Sequence, residues 1–191
     1  MLRGRRALVV GVTNHRSLGW AIARLWHQEG AEVTVTYQQE KQRGTIDRLI
    51  RELGAGADEI MALRCDVTSD DDVLGLARHI QSGGRGLDAL CHTVAFANPR
   101  AMRHGLLGGT EEGESLAAAL AAQRAAWAEA MDVSVFSLVA LARELRPSLA
   151  ASETGASVMT LSYIGADRAV PGYAAMGPAK AALQARARSQ I

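Results

Sequence analysis

The sequence is short of several things, and each shortage removes a class of protein. Cysteine occurs twice, at Cys65 and Cys91, both inside apolar, strand-like runs. Two such residues do not make a disulfide framework in a chain of this size and read as small buried hydrophobes. None of the five histidines, His15, His27, His79, His92 and His104, stands at metal-ligand spacing from another histidine or a cysteine, so no metal site is expected. Neither sign of charge is in excess: 21 basic residues face 20 acidic ones, for a net charge of +1. Without a basic surplus, neither nucleic acid nor an anionic membrane surface is an expected partner. No continuous apolar run reaches the ~20 residues that span a bilayer. The basic start, Met1-Leu2-Arg3-Gly4-Arg5-Arg6, has the charge of an export signal, but no small-residue cleavage site follows it. The apolar residues behind it run instead into Gly11, Asn14 and Ser17, a turn and a helix start, and the protein is read as cytoplasmic.

What is present fits one folded domain over residues 1–191, with 48% hydrophobic residues to supply a core and 21% charged residues to solvate a surface. Ala7-Leu8-Val9-Val10 is a short, wholly apolar strand of the kind buried on both faces. Residues 17–29 repeat their apolar positions at helical spacing and stop at Gly30. A β-branched strand at 33–37, a helix at 46–53 closed by Gly54, a strand at 60–67, a helix at 70–80 and a strand at 87–96 follow. Residues 115–149 favour long helix, 156–164 a fifth strand and 173–191 a last helix, while the glycine-rich stretch 98–113 is the expected loop. Strands alternating with helices predict an α/β fold: a doubly wound parallel sheet, Rossmann-like, with right-handed crossovers. The chain stops at Ile191 within the last expected helix, so the fold is expected to lack its final strands.

In such a sheet, ligands bind at the carboxyl ends of the strands. The turn Gly11-Val12-Thr13-Asn14-His15-Arg16-Ser17-Leu18-Gly19 leaves the first strand and opens the first helix, whose free N–H groups and dipole suit a pyrophosphate. Gly11, Ser17 and Leu18 are the expected contacts. The three-glycine dinucleotide fingerprint is missing, so this turn alone fits a plain strand-to-helix loop equally well. Other strand ends add to it. Asp66 and Val67 close the third strand, where a carboxylate can accept from an adenine amino group. Thr93, Val94 and Ala95 close the fourth, where small residues allow close approach. Gln38 ends the second strand, a position where an acidic residue marks NAD and an arginine marks NADP. Gln38 is neither, and Lys41 and Arg43 lie just beyond; NADH is favoured and NADPH stays open.

The segment from Tyr163 to Lys180 holds the chemistry. Tyr173 and Lys180 are seven positions apart, almost two helical turns, so a helix starting near Tyr173 turns both side chains one way. A phenol beside an ammonium is a general acid, and the ammonium has donors for ribose hydroxyls.

Here the chain resembles the bacterial enoyl-acyl carrier protein reductases, a branch of the short-chain dehydrogenase/reductases. That branch is similar in placing six residues between tyrosine and lysine, where most short-chain enzymes place three, and in an upstream tyrosine, matched by Tyr163. The first turn resembles the family's variant glycine motif, with Ser17 where most short-chain enzymes have glycine. Thr36-Tyr37-Gln38, Cys65-Asp66-Val67 and His92-Thr93-Val94-Ala95-Phe96-Ala97 resemble its cofactor-contact segments, and Asp132-Val133-Ser134 the start of its long fifth helix. The resemblance implies hydride transfer to the β-carbon of a trans-2-enoyl thioester linked to acyl carrier protein, in fatty acid synthesis. It further implies that Tyr173 stabilises the enolate oxygen, Lys180 holds the nicotinamide ribose, Tyr163 lines the acyl site, and the protein is a homotetramer. A short-chain alcohol or carbonyl oxidoreductase, and a non-catalytic cofactor-binding remnant, are the alternatives. The chain departs from the family pattern in three ways: Pro178 between the catalytic pair, which predicts a late helix start or a kink; a longer connection over 98–131; and the early end.

Overall fold

The computed structural model describes residues 1–56, 59–103 and 109–188. Their Cα positions fall into two compact units, one of Met1–Thr93 with Ala140–Thr160 and one of Val94–Val139 with Leu161–Ile191.

The first unit holds the sheet. Strands β1 (Arg6–Val10), β2 (Glu32–Tyr37), β3 (Ile60–Arg64), β4 (Ala89–His92) and β5 (Ser157–Thr160) lie in the order β3-β2-β1-β4-β5, every neighbouring pair parallel. β1 is central, and Leu8, Val9 and Val10 are fully buried, as a strand covered on both faces must be. Val9 is in register with Val35 and with Cys91, so the three share one face. That face is covered by α1 (Leu18–Gln28) through Trp20 and Ala23, and by α2 (Arg43–Leu53) through Ile46, Leu49 and Ile50. Strand order runs outward from β1 to β3 and then returns past β1 to β4, so the right-handed crossover through α3 (Asp70–Ser82) uses the opposite face. There α3 buries Val73, Leu76, Ala77 and Ile80. The reversal makes the carboxyl ends of β1 and β4 the topological switch point.

The helix ends follow local chemistry. Ser17 caps α1 by accepting from the Trp20 amide, and Ser69 caps α3 by accepting from Asp72, each worth about 1 kcal/mol. Gly30 and Gly54 follow α1 and α2 at φ 95° and 75°, the left-handed conformation that ends a helix.

The second unit contains α4 (Pro99–Arg103), α5 (Leu116–Met131), a π-helical turn over Asp132–Phe136, a 3₁₀ turn over Ile164–Ala166 and α7 (Met176–Ala187). α6 (Ser137–Ala150) begins in this unit, and its residues from Ala140 belong to the first. The packing in the second unit is built on small side chains: Ala101, Ala126, Ala130 and Ala175 form one buried cluster, and the Ala175 amide donates to the Ala101 carbonyl at 3.2 Å. The continuous helical run Leu116–Ala150 is long and apolar enough to cross a membrane by length and composition alone. It also carries Arg124, Glu129, Asp132, Arg143, Glu144 and Arg146, and it fully buries Leu141 and Leu145 within the protein.

All five expected strands form, but three are shorter than their apolar runs: β3 ends at Arg64, β4 at His92 and β5 at Thr160. The excess residues turn away at the carboxyl ends. α4 forms inside the stretch expected to be loop, of which residues 104–108 lie outside those described. The last helix starts at Met176, three residues after Tyr173, and its last expected residues, 189–191, also lie outside. This is the late start that Pro178 predicts: the proline sits in the first turn, where its missing N–H leaves no bond unmade. Cys65 and Cys91 are both free and buried. Burial, with the Asp72 and Asp66 carboxylates adding to it, pushes the Cys65 thiol up to about 12; burial alone pushes Cys91 to about 11.

Candidate active site

In the first unit, the dinucleotide-type residues gather at the ends of β1, β2 and β3. Gly11 leaves β1 at φ 101°, a conformation that favours glycine, and its amide and that of Val12 donate to the Thr36 carbonyl at 3.3 and 2.8 Å. The turn is then fixed from within. The Ser17 hydroxyl donates to the Asn14 carbonyl at 2.7 Å, and the Asn14 side chain accepts from the Arg16 amide at 2.8 Å. Leu18 and Gly19 are the first helical residues, so their N–H groups stand at the open, positive end of α1. Leu18 itself is 65% exposed.

Gly19 does something the missing fingerprint hides. A Cβ there would stand 2.6 Å from the Thr93 Oγ1, so only glycine lets α1 pack this close to the end of β4. Thr93 in turn donates its hydroxyl to the Val10 carbonyl at 2.7 Å, tying the two switch-point strands together. Gly11 for the turn and Gly19 for the close approach thus supply two of the three roles that glycines play in a dinucleotide-binding turn, at a different spacing. The residues fit a dinucleotide.

The Gln38 amide donates to the Asp66 carboxylate at 3.1 Å. Asp66 also accepts from the Thr68 amide and hydroxyl at 3.0 and 2.8 Å. Burial raises its pKa, but the Thr68 and Gln38 hydrogen bonds and the Arg64 charge outweigh burial and hold the carboxyl below its ordinary value. Val67 follows Asp66, half-buried. Val94 and Ala95 belong to the second unit, Val94 half-buried and Ala95 exposed.

In the second unit, the segment after β5 and the start of α7 come together. Tyr163 opens the 3₁₀ turn and is 49% exposed. Its ring meets the Tyr173 ring edge-on, with centroids 4.9 Å apart and planes at 61°. Tyr173 lies before α7 and not on it; its carbonyl accepts from the Gly177 amide at 2.9 Å, which joins it to the helix's first turn. Lys180 is in the helix and 6% exposed, and its ammonium donates to the Leu161 carbonyl at 2.7 Å. Residues 165–174, with Gly177, Pro178 and Ala181, line a cleft of about 600 Å³.

The electrostatics differ from the sequence expectation. An ammonium beside the phenol would lower the Tyr173 pKa, but burial and the neighbouring Tyr163 raise it. Burial lowers the Lys180 pKa, while the ammonium donates to the Leu161 carbonyl. Tyr173 is therefore a protonated donor at neutral pH.

Two further roles escape sequence reasoning. Leu161 offers only its carbonyl, and a backbone group leaves no mark on residue identity. Ser134, fully buried in the π-helical turn, accepts from the Phe96 amide at 3.1 Å and lies 3.0 Å from its carbonyl, fixing the chain after β4. A π-helical turn within a long helix was the available signal only in three dimensions. Among the described residues, no group of three or more His, Cys, Asp or Glu side chains is placed to hold a metal ion.

The sequence profile of the enoyl-(acyl carrier protein) reductases matches residues 11–190. The chain belongs to this family. It is 37% identical over 188 residues to the NADH-dependent enoyl-[acyl-carrier-protein] reductase of Aquifex aeolicus, covering 98% of the chain and 63% of that relative. The crystal structure of the Anaplasma phagocytophilum reductase in complex with NAD superposes at a TM-score of 0.78 and 30% identity, over 97% of this chain and 63% of that one. The Bacillus cereus reductase, solved with NADP⁺ and an indole naphthyridinone, gives a TM-score of 0.81 at 32% identity, over 96% and 65%. The chain thus spans somewhat less than two thirds of the length of these enoyl reductases.

Proposed function

We propose that the protein reduces the trans-2 double bond of an enoyl thioester carried by acyl carrier protein, with NADH as the favoured reductant, in fatty acid synthesis. The observation that carries this reading is the arrangement over residues 161–180: the Tyr163 ring edge-on to Tyr173, with a buried Lys180 seven positions on. Family membership and relatives named as NADH-dependent enoyl reductases support it. A bound nicotinamide dinucleotide would supply the hydride for the substrate's β-carbon. The charge that then develops on the thioester oxygen needs a donor, and the Tyr173 phenol, kept protonated by its raised pKa, donates there as an oxyanion-hole group does. Lys180 has three N–H donors; one goes to Leu161, leaving two for the ribose hydroxyls. Tyr163 lines the acyl side of the phenol. Gln38, with neither an acidic nor a basic side chain, supports NADH only weakly, and NADPH belongs in the same assay.

The test is steady-state oxidation of NADH and NADPH with a crotonyl thioester and with simple ketones. Turnover of the thioester is the expected result. Ketone reduction without thioester reduction would make the protein a carbonyl oxidoreductase, and NADH binding without turnover of either would make it a non-catalytic cofactor-binding protein. A cytoplasmic location and a homotetrameric assembly belong to the same proposal and rest on family membership; sedimentation velocity measures the assembly.

A further inference from the structure

Gly165 lies in the 3₁₀ turn that follows β5 and faces the ring of Tyr173. A Cβ built on Gly165 would stand 2.4 Å from the Tyr173 Cδ1, 2.8 Å from its Cε1 and 3.3 Å from the Tyr163 Cδ1. Gly165 does not have a positive φ, so the demand for glycine is steric and not conformational. Cδ1 sits at the base of the ring, and the whole phenol must swing to clear it. The turn cannot easily retreat, because the Ala166 amide is bonded to the Tyr163 carbonyl at 2.9 Å and the Asp167 and Arg168 amides to Ile164 at 3.0 and 3.1 Å. A second bare position abuts the turn: a Cβ on Gly177, in the first turn of α7, would stand 2.9 Å from the Gly165 carbonyl oxygen. The Gly177 amide also holds the Tyr173 carbonyl, so one residue fixes the tyrosine's backbone and backs the turn on which its ring lies.

We infer that Gly165 is a positioning residue for the Tyr173 phenol, and that Gly177 holds Gly165 in place. The inference rests on the proposed enoyl reduction through Tyr173. Three features bear on the ring besides its packing against the buried Val135, Met176 and Ala179: the bare face of Gly165, the edge of Tyr163 and the backbone bond of Tyr173 to α7. All three residues 165, 173 and 177 line the cleft, so displacement of the phenol moves the donor within the cavity where a thioester oxygen would sit. A side chain at 165 leaves the donor chemistry intact and spoils its placement.

The test is Gly165→Ala, alone and combined with Tyr173→Phe, assayed with a crotonyl thioester; Gly44→Ala, at an exposed helical glycine with nothing within 4 Å of its Cβ, is the control. Gly165→Ala is expected to lower kcat by roughly 10- to 100-fold, as misplacement of a reacting group does, with NADH affinity unchanged. In the Tyr173→Phe background, which keeps the ring and removes the hydroxyl, the same substitution is expected to change kcat by no more than about twofold. Wild-type kcat in Gly165→Ala, or an equal proportional loss in both backgrounds, would overturn the inference. Should the unsubstituted protein reduce no crotonyl thioester, the activity reading fails, and the seat is decided by nuclear Overhauser contacts between ring-labelled tyrosines. Loss of the Tyr163–Tyr173 contact in Gly165→Ala supports it, and an unchanged contact overturns it.

Discussion

Tyr173 keeps its proton because burial and a second phenol both disfavour the anion, and among the described residues no cation offsets them. Two outcomes follow. Under the proposed enoyl reduction, Tyr173→Phe removes a transition-state donor and is expected to lower kcat roughly 10²-fold while leaving NADH affinity intact, read by turnover and by fluorescence titration. The alkaline limb of the kcat profile is expected above the ordinary tyrosine value of about 10, since on that proposal the active form is the protonated phenol, whose pKa is raised. A limb well below 10 that disappears in Tyr173→Phe would show an ammonium acting on the phenol after all. At this scale the sequence was partly legible. Tyr163, Tyr173 and Lys180 stand out because phenol and ammonium are chemically distinctive. Gly165, Gly177 and the Leu161 carbonyl do not, because what they contribute is a missing atom or a backbone group. The contact of Lys180 with that carbonyl leaves no mark on the sequence for the same reason.

At the scale of elements, caps and stops carried the most information. Ser17 starts a helix, and Gly30 and Gly54 end helices, because each satisfies or releases backbone groups locally, within reach of a sequence pattern. Apolar runs extend past the strand ends, because such a run marks burial and not ladder pairing. Cys65 is buried beyond the end of β3, and Thr93 lies just past β4. The contact between α1 and the end of β4 yields a third outcome. Gly19→Ala drives a methyl into Thr93 and is expected to destabilise the fold by about 1–3 kcal/mol, measured by urea unfolding, and to weaken NADH binding together with it. Pro178→Ala, by contrast, restores an N–H in a first turn that needs none, and a stability within about 0.5 kcal/mol of the original is expected in the same measurement.

At the scale of the whole molecule, the parallel sheet and its doubly wound order were legible, because alternation of strand and helix with a fixed crossover hand leaves few arrangements. What closes the far end of the sheet was not. Asp88, at the start of β4, accepts from the Arg6 amide at 2.8 Å and the Ser152 hydroxyl at 2.7 Å, and pairs with Arg5 at 3.3 Å, joining stretches more than sixty residues apart. Burial raises its pKa, yet the Arg6 and Ser152 hydrogen bonds, the Arg5 charge and Thr154 bring it below the ordinary carboxylate value. A carboxyl lowered in the folded state binds more protons when unfolded, so its contribution is full above the unfolded value near 3.9 and is lost as pH falls through the folded one. Asp88→Asn is therefore expected to cost about 1–3 kcal/mol at pH 7, with the difference from the original shrinking toward pH 3, followed by urea unfolding across that range. The two shielded thiols have a practical consequence. Burial and raised pKa slow the reaction of both native thiols with a maleimide, so a pair of cysteines introduced on the surface would take two fluorophores or spin labels selectively, and distances within the molecule become measurable without first removing the natural cysteines.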